Sequence, residues 1–248
     1  MTVALVDERI DSAARDELEA RGYRTVAMSS CVRLSEAVMS HPDMLTLIIG
    51  DTLLTEGTYL NEARSAFCEI RCAVPDLKIQ AISEDFSPEY PLDCLLNALV
   101  VGDMLFCREK SLSKDAIELA RSRGLKIINV NQGYPACTVL TLGRDHAITA
   151  DRGMARAMRE VGIDVLLIED GGIELPPHEY GFIGGATGVH GDKVYFLGDI
   201  LTHPYGHEIV DFCREAGFEP ISLGGGRMCD LGRIIFIDSG SNNKYGEQ

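Results

Sequence analysis

Four glycines, Gly50, Gly102, Gly143 and Gly191, fall 52, 41 and 48 residues apart, each at the same point of one repeated pattern. A short apolar run precedes each, and an aspartate follows within two positions. A second apolar run, a polar helix start, an amphipathic helix, a glycine stop and a third apolar run come next. Self-similarity at such a period marks a repeat architecture, whose units bury their apolar faces against one another. The clearest copy runs Ala98-Leu99-Val100-Val101, Gly102-Asp103, Met104-Leu105-Phe106-Cys107. It continues with a helix capped by Ser111 or Ser113 that carries Ile117 and Ala120, then Gly124 and a strand over 125–130. Two later copies start at Val139 and Thr187, and an earlier one at Leu45, with one helix near 59–72.

A fifth unit is split between the chain ends. Val3 to Val6, a helix over 12–21, Gly22 and a strand over 23–28 lack a first strand, which Ile234 to Ile237 can supply. The predicted fold is therefore α/β: a closed, propeller-like ring of five ββαβ units with pseudo-fivefold symmetry, one unit shared between the termini. Closure of this kind removes open sheet edges. Residues 1–238 form a single domain in this reading, and 239–248 a polar tail. The competing reading is a doubly wound parallel sheet. That fold carries one long strand per helix and, for nucleotides, a glycine fingerprint that no strand here precedes.

A net charge of -15 argues against a nucleic-acid partner, which needs a basic face. Eight cysteines in a chain too long to need disulfide staples read as reduced thiols in a cytoplasmic protein. Met1-Thr2-Val3-Ala4 runs into Asp7-Glu8 without a basic leader region, and no apolar run is long enough to span a bilayer, so no membrane partner is expected. Cysteine and histidine spacings match no metal motif. Pro204 and Gly206 interrupt the His203/His207 pair, so these histidines read as structural or solvated. No metal and no cofactor are expected.

The segment Gly224-Gly225-Gly226-Arg227-Met228-Cys229 sets one thiol behind a glycine loop at the start of an apolar region. A nucleophile is placed in this way; so is a small buried residue at a strand start. With five ββαβ units, this element resembles the pentein, or guanidine-modifying-enzyme, superfamily. The stretches Asn131-Gln132-Gly133-Tyr134-Pro135-Ala136-Cys137 and Tyr180-Gly181-Phe182-Ile183-Gly184-Gly185 are most similar to an uncharacterised bacterial branch of it. The resemblance implies a cysteine nucleophile at Cys229, a histidine acid/base earlier in the chain and carboxylates that hold a guanidinium. Where it places a His-Leu-Asp type motif, this chain has Phe182-Ile183-Gly184-Gly185. Where it places a Glu-Gly-Gly-Asp type motif, the chain has Pro135-Ala136-Cys137-Thr138.

Other residues are candidates for the missing roles. His190, beside the Gly191 turn, is a candidate partner for Cys229 that would lower the thiol pKa; it is equally an exposed turn residue. Glu169 and Asp170 are candidate cation ligands or a solvated turn. Gln132, Tyr134, Gly225, Gly226 and Arg227 are candidate substrate contacts. Asp151 reads as a helix cap, His146 as structural and His178 as a loop residue. Two functions stay open. One is a Cys229-dependent hydrolase or transferase acting on a small amidine, guanidino or amide compound. The other is a catalytically silent binder of a small molecule or a protein partner, with self-association open.

Overall fold

The computed structural model describes residues 1–240. In chain order it contains β1 (Thr2–Asp7), α1 (Ser12–Ala20) and β2 (Tyr23–Met28), then α2 (Pro42–Leu45), β3 (Thr46–Ile49), β4 (Thr52–Glu56), α3 (Gly57–Glu62), α4 (Arg64–Ala73) and β5 (Lys78–Ile82). Next come β6 (Leu99–Val101), β7 (Met104–Cys107), α5 (Lys114–Ser122) and β8 (Lys126–Asn129). These are followed by α6 (Pro135–Thr138), β9 (Val139–Leu142), β10 (His146–Thr149), α7 (Arg152–Glu160), β11 (Asp164–Leu167) and β12 (Ile173–Glu174). The chain ends with β13 (Thr187–His190), β14 (Lys193–Leu197), α8 (Gly206–Glu215), β15 (Glu219–Leu223), β16 (Met228–Cys229) and β17 (Ile235–Asp238).

The strands form five separate three-stranded sheets, not one wound sheet, plus a two-stranded parallel ribbon of β12 and β16. In each three-stranded sheet the first pair is antiparallel and the second parallel. In the sheet made from both chain ends, β17 runs antiparallel to β1, with Thr2 opposite Asp238. The expected split unit is therefore present. Residues 241–248 of the expected polar tail lie outside the described residues.

Local chemistry accounts for the repeat. Gly50, Gly102, Gly143 and Gly191 have φ of 60°, 58°, 65° and 61°. That is the left-handed conformation a hairpin needs at its first loop position and a side chain resists. In α7, Asp151 caps the helix by accepting from Met154 N at 2.7 Å, and Met154, Ala155 and Met158 bury one face. The cap of α5 differs from expectation. Ser113 occupies the N-cap position, but Glu84 accepts from Lys114 N (2.9 Å) and from Ser113 Oγ (2.7 Å). The helix expected over 59–72 is two helices, α3 and α4, broken at Ala63; Tyr59 of one meets Phe67 of the other edge to face.

A circuit of hydrogen bonds joins the turns that precede the first strands of the five sheets. Asn97 Nδ2 donates to Asp43 O (3.2 Å), and Ala136 N donates to Asn97 Oδ1 (2.9 Å). Gly185 N donates to Cys137 O (2.9 Å), and Gly185 O accepts from Leu231 N and Arg233 N (3.1 and 2.9 Å). Asp43 N then donates to Gly232 O (3.1 Å), returning to the starting turn. The backbones come very close here. A Cβ on Gly184 would lie 2.3 Å from Ala136 O, and one on Gly185 would lie 2.0 Å from Asp230 Oδ1. Nothing larger than glycine fits at either position.

Asn97 is the one side chain that closes a gap in this circuit. Asn97→Ala leaves Ala136 N and Asp43 O buried without their partners, at a cost of about 2–6 kcal/mol, counting roughly 1–3 for each orphaned group. Exposed Asn61→Ala costs less than about 0.5 kcal/mol. Urea unfolding of both variants measures the difference.

Candidate functional site

Above the five turns opens a well of about 780 Å³. Its wall includes four carboxyl side chains (Glu36, Asp93, Glu179, Asp230) and four aromatic rings (Tyr90, Tyr134, Tyr180, Phe182), but no Lys or Arg among the described residues. Ser35, His41, His178 and Cys137 complete its polar lining. Asp93 Oδ2 accepts from Tyr134 Oη at 2.5 Å, while Asp93 Oδ1 is buried with no partner among the described residues. The Tyr90 and Tyr134 rings tilt against each other at 6.4 Å, and the Arg108 guanidinium lies 5.4 Å from the Tyr90 centroid on that ring's face.

The floor of the well is a buried charge cluster. His41 is 1 % exposed, 3.9 Å from Asp7 and 3.8 Å from Asp230, with neither ring nitrogen hydrogen-bonded. Burial drives its pKa down to about 4, opposed by the Asp7 charge, so the ring is neutral at pH 7. Burial and then the nearby Asp43 raise Asp230 to about 7, although its oxygens accept from Phe182 N (2.9 Å) and Gly232 N (3.1 Å). Asp7 accepts from Arg9 Nε and Ser40 Oγ, both at 2.9 Å, and Arg9 also donates to the Glu36 and Ala37 carbonyls. That latch ties β1 to the loop forming one wall of the well.

A second cavity of about 350 Å³ lies on the far side of Tyr180 and Phe182, which line both. It gathers the predicted residues Gln132, Glu169 and Asp170 with His203. Gln132 Nε2 donates to Asp151 Oδ2 (2.6 Å) and its Oε1 accepts from Tyr134 N (3.1 Å). Of the predicted contacts, only Tyr134 enters the larger well. Gly225, Gly226 and Arg227 line neither cavity. Asp199 N donates to Gly226 O, and Arg227 reaches Glu174 at 3.6 Å on the surface.

The expected pairing of Cys229 with His190 is absent. His190 sits at a hairpin rim, its Nδ1 3.0 Å from Tyr23 Oη and its Nε2 3.1 Å from Asp238 Oδ1. Cys229 ends β16, opposite Glu174 of β12. Its pKa is not depressed: burial, then Asp230 and Glu174, push it up to about 11, with Arg9 pulling weakly the other way. Cys137, deeper in the well, is likewise raised well above the ordinary thiol value, by burial and then by Asp43. Among the described residues no group of three or more His, Cys, Asp or Glu is placed to hold a metal ion.

Asp93, His41, Asp230 and Cys137 escaped sequence reasoning about the site. Asp93, in a loop between units, carries no positional signal. The other three belong to the turns that enter the first strands; counting back from Gly50 and Gly143 would have reached His41 and Cys137, whereas Asp230 lies in the split unit, which has no repeated glycine.

This architecture is the pentein, or guanidine-modifying-enzyme, fold. An amidinotransferase from Microseira wollei of the saxitoxin pathway has a similar structure, with 10 % identity over 99 % of this chain and 95 % of that one (TM-score 0.57). A dimethylarginine dimethylaminohydrolase shares 11 % identity over 90 % and 91 % of the two chains (TM-score 0.57). The inosamine-phosphate amidinotransferase of Streptomyces griseus shares 12 % over 87 % and 77 % (TM-score 0.51). No curated protein matches the sequence. The chain belongs to a family of unknown function, DUF6873, whose model matches residues 5–235.

Two measurements follow from the charge pattern. With a pKa near 11, Cys229 is thiolate in only about one molecule in ten thousand at pH 7. Its alkylation, read by peptide mass spectrometry, should rise about tenfold per pH unit from 7 to 10; a plateau near pH 7 would contradict this assignment. Asp230 has a raised folded-state pKa, so its contribution to stability is full below about pH 4 and is lost as pH rises through about 7. The stability of wild type relative to Asp230→Asn should therefore fall as pH rises across that window in urea titrations.

Proposed function

We propose that this protein binds a small guanidino or amidine cation in the 780 Å³ well. The observation that carries the reading is a wall of four carboxyl groups and four aromatic rings with no Lys or Arg among the described residues. A planar delocalised cation pairs with carboxylates through parallel N–H bonds and stacks on aromatic faces. Asp93 Oδ1, buried and unpartnered, is the anchor in this reading, with Tyr90 and Tyr134 as the stacking faces. Glu169, Asp170 and Gln132, across the Tyr180–Phe182 partition, would meet a polar extension of the same compound. The similar structures are of enzymes named for amidino and methylarginine chemistry, which fits this ligand class.

We also infer that the five sheets close into a propeller-like ring around the well, within one domain over residues 1–238. The circuit of bonds through the five turns supports this, as does the packing of β13 beside both β9 and β17. No described helix is long and apolar enough to cross a membrane. The eight free thiols support placement in a reducing cytoplasm.

The second reading is turnover through Cys229, as a hydrolase or transferase. Its support is position: Cys229 directly precedes Asp230, part of the wall of the well. The geometry favours binding, because among the described residues no histidine pairs with the thiol and its pKa is raised.

Agmatine at about a hundredfold its Kd should raise Tm by about 5–10 °C. A neutral ureido analogue should leave Tm unchanged, and Asp93→Asn should weaken agmatine binding at least about tenfold. Equal shifts with the neutral analogue would sink the cation site. A covalent adduct at Cys229 from a halogenated amidine, with product release lost in Cys229→Ser, would establish the enzyme reading instead.

A further inference from the structure

On the opposite side of the five turns is a third cavity, of about 130 Å³, to which all five first strands contribute: β3, β6, β9, β13 and β17. Its walls are largely apolar, with Ile48, Val100, Val189 and Phe236 among them, yet Asp43 and Arg233 both line it. Asp43 is 2 % exposed, and neither carboxylate oxygen has a hydrogen-bond partner among the described residues. Cys137 lies beside it, close enough to interact electrostatically but outside hydrogen-bond geometry. Arg233 makes one long side-chain bond, Nη2 to Val139 O at 3.5 Å, and does not reach Asp43 in an ion pair.

This arrangement is costly to maintain. A desolvated charge is tolerated when paired, and the Asp43 carboxylate is buried with no hydrogen-bond partner among the described residues. Arg233 also has φ of 63°, the only non-glycine residue with positive φ among those described. Strain of this kind persists where the surroundings fix the residue for a purpose. The two groups present opposite charges across a gap inside an apolar chamber.

We propose that this chamber binds a glycine-sized α-amino acid zwitterion, with its ammonium group on Asp43 and its carboxylate on the Arg233 fork. An engineered cavity of about 150 Å³ accommodates benzene, so this one admits about five or six heavy atoms, and glycine has five. A lone carboxylate would face Asp43, and a lone amine would face Arg233; only a molecule bearing both charges neutralises both. The site shares neither charged residue with the acid-walled well, so it does not depend on the proposed ligand there.

Saturation-transfer NMR with glycine on the intact chain tests the proposal. Glycine should bind saturably, acetate and methylamine at least about tenfold more weakly, and valine not at all, because its side chain exceeds the chamber. Asp43→Asn and Arg233→Lys should each weaken glycine at least about tenfold. Arg233→Gly, which relieves the left-handed backbone, provides a folded variant that should lose binding. Asp93→Asn, in the other well, should leave glycine affinity unchanged. No saturable glycine signal with folded wild type would mean that water alone bridges the two charges, overturning the proposal. So would acetate binding as well as glycine, or glycine binding unaffected by the Asp43 and Arg233 substitutions.

Discussion

The five entrance turns hold one another by hydrogen bonds, and most other features depend on that contact. Five sheets, each with only three strands, could not position a shared cavity unless their inner ends were locked together. The lock runs through backbone groups and a single amide side chain, Asn97. Backbone-to-backbone approach this close requires residues without side-chain bulk, hence Gly184 and Gly185. Where bulk is allowed, the inward positions carry polar groups: Asp43, Cys137 and Asp230. A low-dielectric centre crowded with acids then sets the protonation of everything near it.

That electrostatic setting bears directly on the thiol of Cys229. A cysteine nucleophile is activated by a cation, a helix N-terminus or an adjacent imidazole. Cys229 has acids beside it and Arg9 only at a distance, since the Arg9 guanidinium is engaged by Asp7 and two carbonyls. The acids that suppress thiolate formation are the same kind of group that would welcome a positively charged guest. Burial first, and then the neighbouring carboxyl groups, keep the sulfur un-ionised, and the proposed attraction for a cation rests on carboxyl groups of the same kind.

Much of the fold was legible in the sequence because its grammar is local. Glycines at positive φ mark the hairpins, Asp151 caps its helix, and alternating apolar runs mark the strands; the split unit followed from a missing strand at one end and a spare at the other. The site was less legible. The motif at Gly224–Cys229 identified a strand start but not its surroundings, and His190 was assigned by its proximity to a turn. Its ring instead completes a rim network with Tyr23 and Asp238, contacts 167 and 48 residues away in the chain that no spacing rule encodes. Asp93 became visible only when folding brought its loop against Tyr134. Gln132, Glu169 and Asp170 do converge, in a neighbouring cavity and not the larger one.

The antiparallel pairing of β17 with β1 places Thr2 opposite Asp238. Any polypeptide attached ahead of one strand or beyond the other therefore starts from a common location, at one end of that sheet. The order in which the units are threaded is correspondingly arbitrary. A circularly permuted chain, joined between those neighbouring ends and reopened within a two-residue hairpin such as Gly102-Asp103, would trace the same five sheets with new termini.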